Sequence, residues 1–327
     1  MPEMNNVIPE AGNFFSLQPE HVLDAVEQSG HLTTGLCYAL NSLENRVYEV
    51  ELEDRSRRVA KFYRPGRWSQ DTILDEHRLL LALREAEIPV IAPEMFPDGT
   101  TLHQHGDGIW FALFPRQGGR SPDELTLDEH AELGRLIARI HNVAASLKLR
   151  HRPVLSPETY GRQSLQTILS CATMSPGLRG RYVDIVERLI NIAETRFSGV
   201  ELLTVHADCH RGNLLRLSSG FFFLDFDDMA VGPAVQDLWL LLPSRPEQCP
   251  RELEATLRGY EMFRAFPSVT LRLIEVLRAL RYVRYAGWVA ARWQDPAFPR
   301  AFPHWGTDHY WQEQLNDLHE QLHLLEE

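Results

Sequence analysis

Cysteine is scarce in this 327-residue sequence: Cys37, Cys171, Cys209 and Cys249 are scattered with no close spacing. That pattern excludes a disulfide framework and a cysteine-built zinc site, and it fits a reducing, cytoplasmic setting. Long apolar runs are absent too. No stretch approaches the length that spans a bilayer, and Met1-Pro2-Glu3-Met4-Asn5-Asn6 lacks the basic-then-apolar order of an export signal, so no membrane partner is expected. A basic excess is also missing. The net charge of −12 argues against nucleic acid as a partner. There is no internal repeat or low-complexity tract, and the length suffices for two lobes with ample core.

What is present concentrates between His206 and Asp228. Val200, Leu202, Leu203 and Val205 lead in as strand formers, and Leu214 to Leu217 and Phe221 to Leu224 flank Ser218-Ser219-Gly220. Two strand-forming runs around such a turn predict a β-hairpin. Pairing about Ser219 sets Asn213 opposite Asp225 at the open end, with Asp208 on the loop just upstream. An amide and a carboxylate offer hard oxygens suited to Mg²⁺, which keeps waters and phosphate oxygens for its remaining ligands. The Asp-x4-Asn spacing of Asp208 and Asn213, followed by Asp225, matches the phosphoryl-transfer template. In that template the first Asp aligns the acceptor hydroxyl, and the Asn and second Asp hold Mg²⁺ on ATP. Each residue alone is accounted for by a turn or strand end; three in register on one hairpin favour the site.

Such a site demands a lysine for the α and β phosphates and a carboxylate to hold it. Val47 to Leu52 alternates at period two, Glu53 to Ser56 forms a turn, and Arg58 to Tyr63 forms a second strand with Val59, Lys61 and Tyr63 on one face. A helix is predicted from the N-cap Ser69 to Arg84, and its Ile73, Glu76 and Leu80 fall on one inward face. A carboxylate there needs a partner, and Lys61 is the candidate. A half-exposed strand lysine and a helix-edge glutamate reaching water remain the plainer readings of each alone.

The segment His206-Ala207-Asp208-Cys209-His210-Arg211-Gly212-Asn213 resembles the His-Gly-Asp-x-His-x-x-Asn motif of the aminoglycoside phosphotransferase and choline kinase-like branch of the protein-kinase-like fold. Nearly the whole chain is similar to the bacterial stress response kinase A family of serine/threonine protein kinases. Leu40 to Tyr48, Lys61 to Pro65, Gly232 to Trp239 and Asp295 to Pro299 carry that closer likeness. The resemblance implies an α+β, two-lobed protein-kinase-like fold with a small β-rich N-terminal lobe and a larger, mainly helical C-terminal lobe. It implies Asp208 as proton acceptor, Asn213 and Asp225 as Mg²⁺ ligands and Ser42 as an ATP contact, although Asn41 to Asn45 contains no Gly-x-Gly and is equally readable as a polar turn. It also implies Mg-ATP and a protein with a Ser or Thr acceptor as partners. Ala207 stands in the place of a phosphate-contacting Arg, and the short chain between Asp225 and Asp237 leaves no room for a long activation segment. Control by phosphorylation there is not expected.

The lobes are expected at 1–115, including an N-terminal helical extension over about 1–32, and at 123–327, joined by the Pro/Gly-rich linker 116–122. The strand Ile109 to Phe114 before the linker is suited to line an adenine pocket. Leu133, Leu136, Ile137, Ile140 and Ala144 mark a buried helix on which His141 reads as a hydrogen-bonded core residue. Asp227 reads as a solvent-facing turn carboxylate and Asp237 as a helix cap or a brace for the catalytic loop. Arg278, Arg281 and Arg284 read as a solvated face paired with acids, or as the lining of a groove for an acidic substrate. A monomer is expected. A small-molecule hydroxyl kinase, an inactive ATP-binding scaffold and a Mg²⁺ phosphohydrolase remain open alternatives, the first being nearly as well matched by the pattern alone.

Overall fold

Alternating side chains over residues 33–62 build an antiparallel sheet with one face for a core and one for a site. The structure is a computed structural model that describes residues 12–106, 108–171 and 174–326. Two compact units are found in it. The first holds helices α1 (Gly12–Phe15) and α2 (Pro19–Gln28), strands β1 (Thr33–Ala39), β2 (Arg46–Leu52) and β3 (Arg57–Phe62), helix α3 (Gln70–Glu85), and strands β4 (His103–His105) and β5 (Ile109–Pro115). The sheet runs β1-β2-β3-β5-β4, antiparallel throughout. On one face Tyr48, Val50, Ala60, Phe62, Phe111 and Leu113 are buried with Val22, Ala25 and Val26 of α2. The i, i+3, i+4 spacing of those three makes α2 amphipathic, and Phe62 stacks on Phe111 with ring centroids 5.1 Å apart. Helices α1 and α2 fall within the range 1–32 expected for an N-terminal helical extension. The reading of Met1 to Asn6 lies outside the described residues.

Whereas the sequence divides at a linker over 116–122, the first unit reaches Asp123 and also takes in 147–151 and 212–227. The last of these carries the hairpin of β7 (Leu214–Leu217) and β8 (Gly220–Phe223). Its register differs from the expected one. Leu217 pairs with Gly220 and Leu214 with Phe223, so the turn is the two residues Ser218-Ser219, and Asn213 lies opposite Leu224, whose N–H donates to the Asn213 carbonyl at 2.9 Å. Gly220 pairs with Leu217 as the first residue of β8, and its φ of +117° is a backbone conformation closed to other residues. Asp225 then follows with φ +55°, a left-handed turn that carries it out of the ladder.

The second unit spans 124–146, 152–211 and 228 onward and is mainly helical. It contains α4 (Leu127–Ser146), a π-helical turn Pro157–Arg162, α5 (Gln163–Cys171), α6 (Pro176–Phe197), α7 (Gln236–Trp239), α8 (Pro250–Glu261), α9 (Ile274–Ala291), α10 (Ala297–Ala301) and α11 (Asp308–Glu326), with β6 (Leu203–Val205) paired to β9 (Ala230–Gly232). Among the described residues no helix is long and apolar enough to cross a membrane.

His77 on α3 gives the first unit an acid sensitivity. It is buried between the Tyr63 hydroxyl (2.9 Å) and Thr101 Oγ1 (2.8 Å), and burial, helped by the Lys61 charge, drives its pKa down to about 3. An unfolded His protonates near pH 6.5. Between those values the unfolded chain binds a proton that the folded one refuses, so stability present above about pH 6.5 is lost as pH falls. We expect unfolding free energy to drop by up to about 1.4 kcal/mol per pH unit in this window. Denaturant melts should show a shallower slope in His77→Gln; equal slopes would assign the loss to other groups.

Candidate active site

In the first unit the cross-strand rows Val47, Lys61, Ala112 and Glu49, Val59, Phe114 share the sheet face turned away from α2. Lys61 is 9% exposed, and its Nζ lies 3.5 Å from Glu76 Oε1, 3.3 Å from Asp225 Oδ1 and 3.7 Å from Asp227 Oδ1. Ser69 caps α3 by accepting from the Thr72 N–H at 3.2 Å, which aims Glu76, 1% exposed, at the lysine. Burial alone would pull the Lys61 pKa down, but Asp227, Glu76 and Asp225 outweigh it and hold the ammonium well above its ordinary value. It stays charged at any physiological pH. The expected Lys61–Glu76 pair is therefore present, and Asp225 joins it.

Asp227 departs from its expected exposed place. It is 2% exposed, its Oδ2 accepts from Asn45 Nδ2 at 3.1 Å and from Arg67 Nη1, and it pairs Lys61 as well. Asn45 in turn accepts the Arg64 N–H at 3.2 Å, while the Arg64 guanidinium donates to the Leu43 and Glu44 carbonyls at 2.9 Å each. The bend over 41–45 that carries Ser42 is thus tied to the Asp225-Phe226-Asp227 segment. Ser42 lies half-buried in that bend, and these bonds are made by its neighbours. Sequence reading missed Asn45, Arg64 and Arg67. The available signal was the acid run itself, since a buried acidic turn needs cations and two arginines follow β3.

Among the described ion pairs, the carboxylates Glu44, Glu76, Asp225 and Asp227 meet the cations Lys61, Arg64 and Arg67 in this network. Asp225 is its most open member, with a side chain 56% exposed. An oxygen-rich site with an accessible carboxylate fits a hard divalent cation, which Asp225 would hold together with Asn213, the residue directly before β7. Among the described residues no group of three or more His, Cys, Asp or Glu could hold a metal, so the protein donors would need completing by water and phosphate oxygens.

Asp208 belongs to the second unit, and the chain passes between units from Arg211 to Gly212, inside the motif. Its loop is held from beneath by Asp237, 1% exposed, which accepts from the backbone N–H of His206 (2.7 Å) and Ala207 (2.8 Å) and from His141 Nε2 (3.0 Å). His141 is fully buried, with Nδ1 2.8 Å from the Tyr260 hydroxyl. Ala207 is thereby kept at φ +69°, a conformation that costs a non-glycine residue roughly 1–2 kcal/mol. The Asp208 carboxylate lies 2.8 Å from Arg281 Nη1 and 3.3 Å from His210 Nε2. Burial raises its pKa, but the His210 hydrogen bond and the Arg281 charge overcome that and hold it well below the usual carboxylate range.

The α9 arginines are therefore not one solvated face. Arg278 pairs with Glu275 and lies over Trp239, Arg284 lies over the Tyr160 ring, and Arg281 takes Asp208. Cys209 is buried at 1% exposure, and burial reinforced by Asp237 and Asp208 pushes its thiol pKa far up. The four cysteines are all free.

Known proteins share this chain's family and fold. A model of the phosphotransferase enzyme family matches residues 39–272. The chain is 38% identical over 325 residues to stress response kinase A of Escherichia coli (strain K12), covering 99% of this chain and 97% of that protein. It is 37% identical over 318 residues to the serine/threonine protein kinase RdoA of Salmonella typhimurium (strain LT2), covering 97% and 96%. Among solved structures, an amicoumacin kinase in complex with AMP-PNP, Ca²⁺ and Ami superposes with a TM-score of 0.69 at 18% identity, over 88% of this chain and 90% of that one. A microcompartment-associated aminopropanol kinase gives 0.67 at 21% identity, over 93% and 96%. Those two likenesses confirm a two-lobed α+β kinase-like fold. With 38% identity over nearly the full length, the chain belongs to the stress response kinase A family, within the phosphotransferase enzymes.

Proposed function

We propose that this chain is an ATP- and Mg²⁺-dependent kinase that phosphorylates Ser or Thr hydroxyls of a protein substrate. The observation that carries the reading is the buried Lys61 ammonium, shared between Glu76 at 3.5 Å and Asp225 at 3.3 Å. A lysine fixed by a helix carboxylate beside a candidate metal ligand is the arrangement that orients ATP phosphates. Asn213 and Asp225 would hold Mg²⁺, which when bound neutralises charge on the β and γ phosphates. Lys61 orients the α and β phosphates, and the Val47, Val59, Ala112 and Phe114 face offers an apolar floor for the base. Ser42, in the bend tied down through Asn45, contacts the phosphates. Asp208, ionised at neutral pH, accepts the hydrogen bond of the acceptor hydroxyl and aligns it. Fixed charges and alignment supply the rate, with no covalent intermediate. The choice of a protein acceptor is supported by the curated relative named a serine/threonine protein kinase.

The test is transfer of labelled γ-phosphate from Mg·ATP to the protein itself and to a generic basic protein. Acid-stable label on Ser or Thr is expected. Turnover that appears only when small amino alcohols or aminoglycosides are supplied would instead establish a small-molecule kinase. Asp225→Ala should weaken Mg·ATP binding at least about tenfold, since even outer-shell groups of metal sites contribute 10–100-fold. Calorimetric titration with Mg·ATP checks this, and an unchanged affinity would remove Asp225 from the metal.

A further inference from the structure

We infer that Arg281 is a positioning residue for the transfer, fixing from α9 the orientation of the Asp208 carboxylate and supplying its counter-charge. The inference rests on the reading that Asp208 meets the acceptor hydroxyl. Two independent supports converge on Asp208 within the second unit. Its main chain is set by Asp237 through the N–H groups of His206 and Ala207 at 2.7 and 2.8 Å. Those bonds fix where the loop runs but leave the Asp208 side-chain rotation open. Arg281 closes it, with Nη1 2.8 Å from Oδ1.

The helix behind that contact is rigid. Leu277, Leu280 and Val283 of α9 are buried at 1–2% exposure, so the Arg281 backbone cannot drift. Its neighbours one turn away are committed elsewhere, Arg278 over Trp239 at 4.9 Å and Arg284 over Tyr160 at 5.3 Å. Of the three, Arg281 alone is aimed at Asp208. The contact at Oδ2, from His210 Nε2, is longer at 3.3 Å and comes from the same loop, so it cannot brace the loop against itself. A short charge-assisted bond to one oxygen leaves the plane of the carboxylate defined, and with it the direction from which a hydroxyl can be accepted. Among the described residues, the titratable and charged groups that face Asp208 are Arg281 from α9, His210 on its own loop and Tyr160 from the turn Pro157–Arg162, with Asp228 and Arg284 grouped around Tyr160. With Arg281 removed, burial acts on Asp208 against one cation fewer, and the carboxylate protonates at higher pH. A residue whose charge did not act on the Asp208 carboxylate would have no such effect.

The experiment uses the full chain and four variants, Arg281→Met, Arg281→Gln, Arg281→Lys and Asp208→Ala. Transfer of labelled γ-phosphate to the protein itself and to a generic basic protein is followed from about pH 3 to pH 9, a range that reaches through carboxylate titration. In Arg281→Met, kcat is expected to fall about 10–100-fold with the KM for ATP unchanged, and the acid limb of kcat to move upward in pH. Arg281→Lys should recover most of both. Arg281→Gln keeps a donor without the charge, and it reports the same limb movement should the Met variant not fold. Wild-type rate with an unmoved acid limb in Met or Gln overturns the inference, as does faster transfer, which would make the contact a restraint. Those outcomes count against Arg281 only where Asp208→Ala is inactive. Transfer retained in Asp208→Ala instead removes the reading on which the inference stands.

Discussion

Asp208→Ala is expected to lower γ-phosphate transfer by about 10²–10⁴-fold, the range that a positioned acid–base group contributes. ATP binding should survive. The groups assigned to nucleotide, Lys61, Glu76, Asn213 and Asp225, all belong to the first unit, while Asp208 belongs to the second. Removing it also frees Arg281, 40% exposed, to face water at little cost, so folding is not at stake. Transfer assays beside equilibrium nucleotide titration separate the two effects. Loss of both together would mean that Asp208 acts on nucleotide rather than acceptor, and full transfer would end its assignment. Asp208→Asn should be nearly as slow, because the amide keeps the shape and loses the charge that attracts the hydroxyl proton.

Asp227→Ala is expected to destabilise the protein by about 3–5 kcal/mol, the usual result of stripping one partner from a buried ion pair. Arg67, 7% exposed, and Asn45, 3% exposed, would both lose their shared acceptor, and Lys61 would lose one of three carboxylates. Asp227→Asn, still an acceptor, should lose less. Removing both charges in Arg67→Met with Asp227→Leu should recover much of the loss, since a well-packed apolar pair can replace a buried ionic one. Denaturant unfolding of the single and double variants gives the coupling directly. Additive losses would show that the carboxylate acts alone. The double variant should fold yet bind ATP poorly, because the Asn45 and Arg67 bonds to Asp227 that tie the 41–45 bend to the segment carrying Asp225 are then gone.

How much of this was legible beforehand follows from the range of each interaction. Lys61 and Glu76 lie fifteen residues apart on neighbouring elements, and period-two and period-3.6 patterning alone turned them toward one another. The hairpin was legible too, but not its register. Phe221, Phe222 and Phe223 offer no alternation, so nothing in the pattern distinguishes one pairing from the next. Asp227 was misplaced because its partners, Arg67 and Asn45, stand 160 and 182 residues away, and burial set by partners so distant has no local signature. Arg281 was singled out as one of three arginines, yet only the fold chooses which of them reaches Asp208. Ala207 carries the reverse lesson. Related motifs place Gly there, and φ +69° supplies the reason, which no propensity for alanine would suggest.

The covered Cys209 has a further consequence for chemistry in an oxidising cell. Peroxides and alkylating reagents attack the thiolate, and this sulfur, flanked by two carboxylates and sealed from solvent, spends almost none of its time in that form. Damage by such agents would begin at the exposed Cys171, at the end of α5, a different segment from the motif. A phosphotransferase built this way keeps the loop that carries Asp208 chemically silent in the conditions that disable thiol-dependent enzymes, and on the proposed reading its output is then governed by substrate and nucleotide supply rather than by its own redox state.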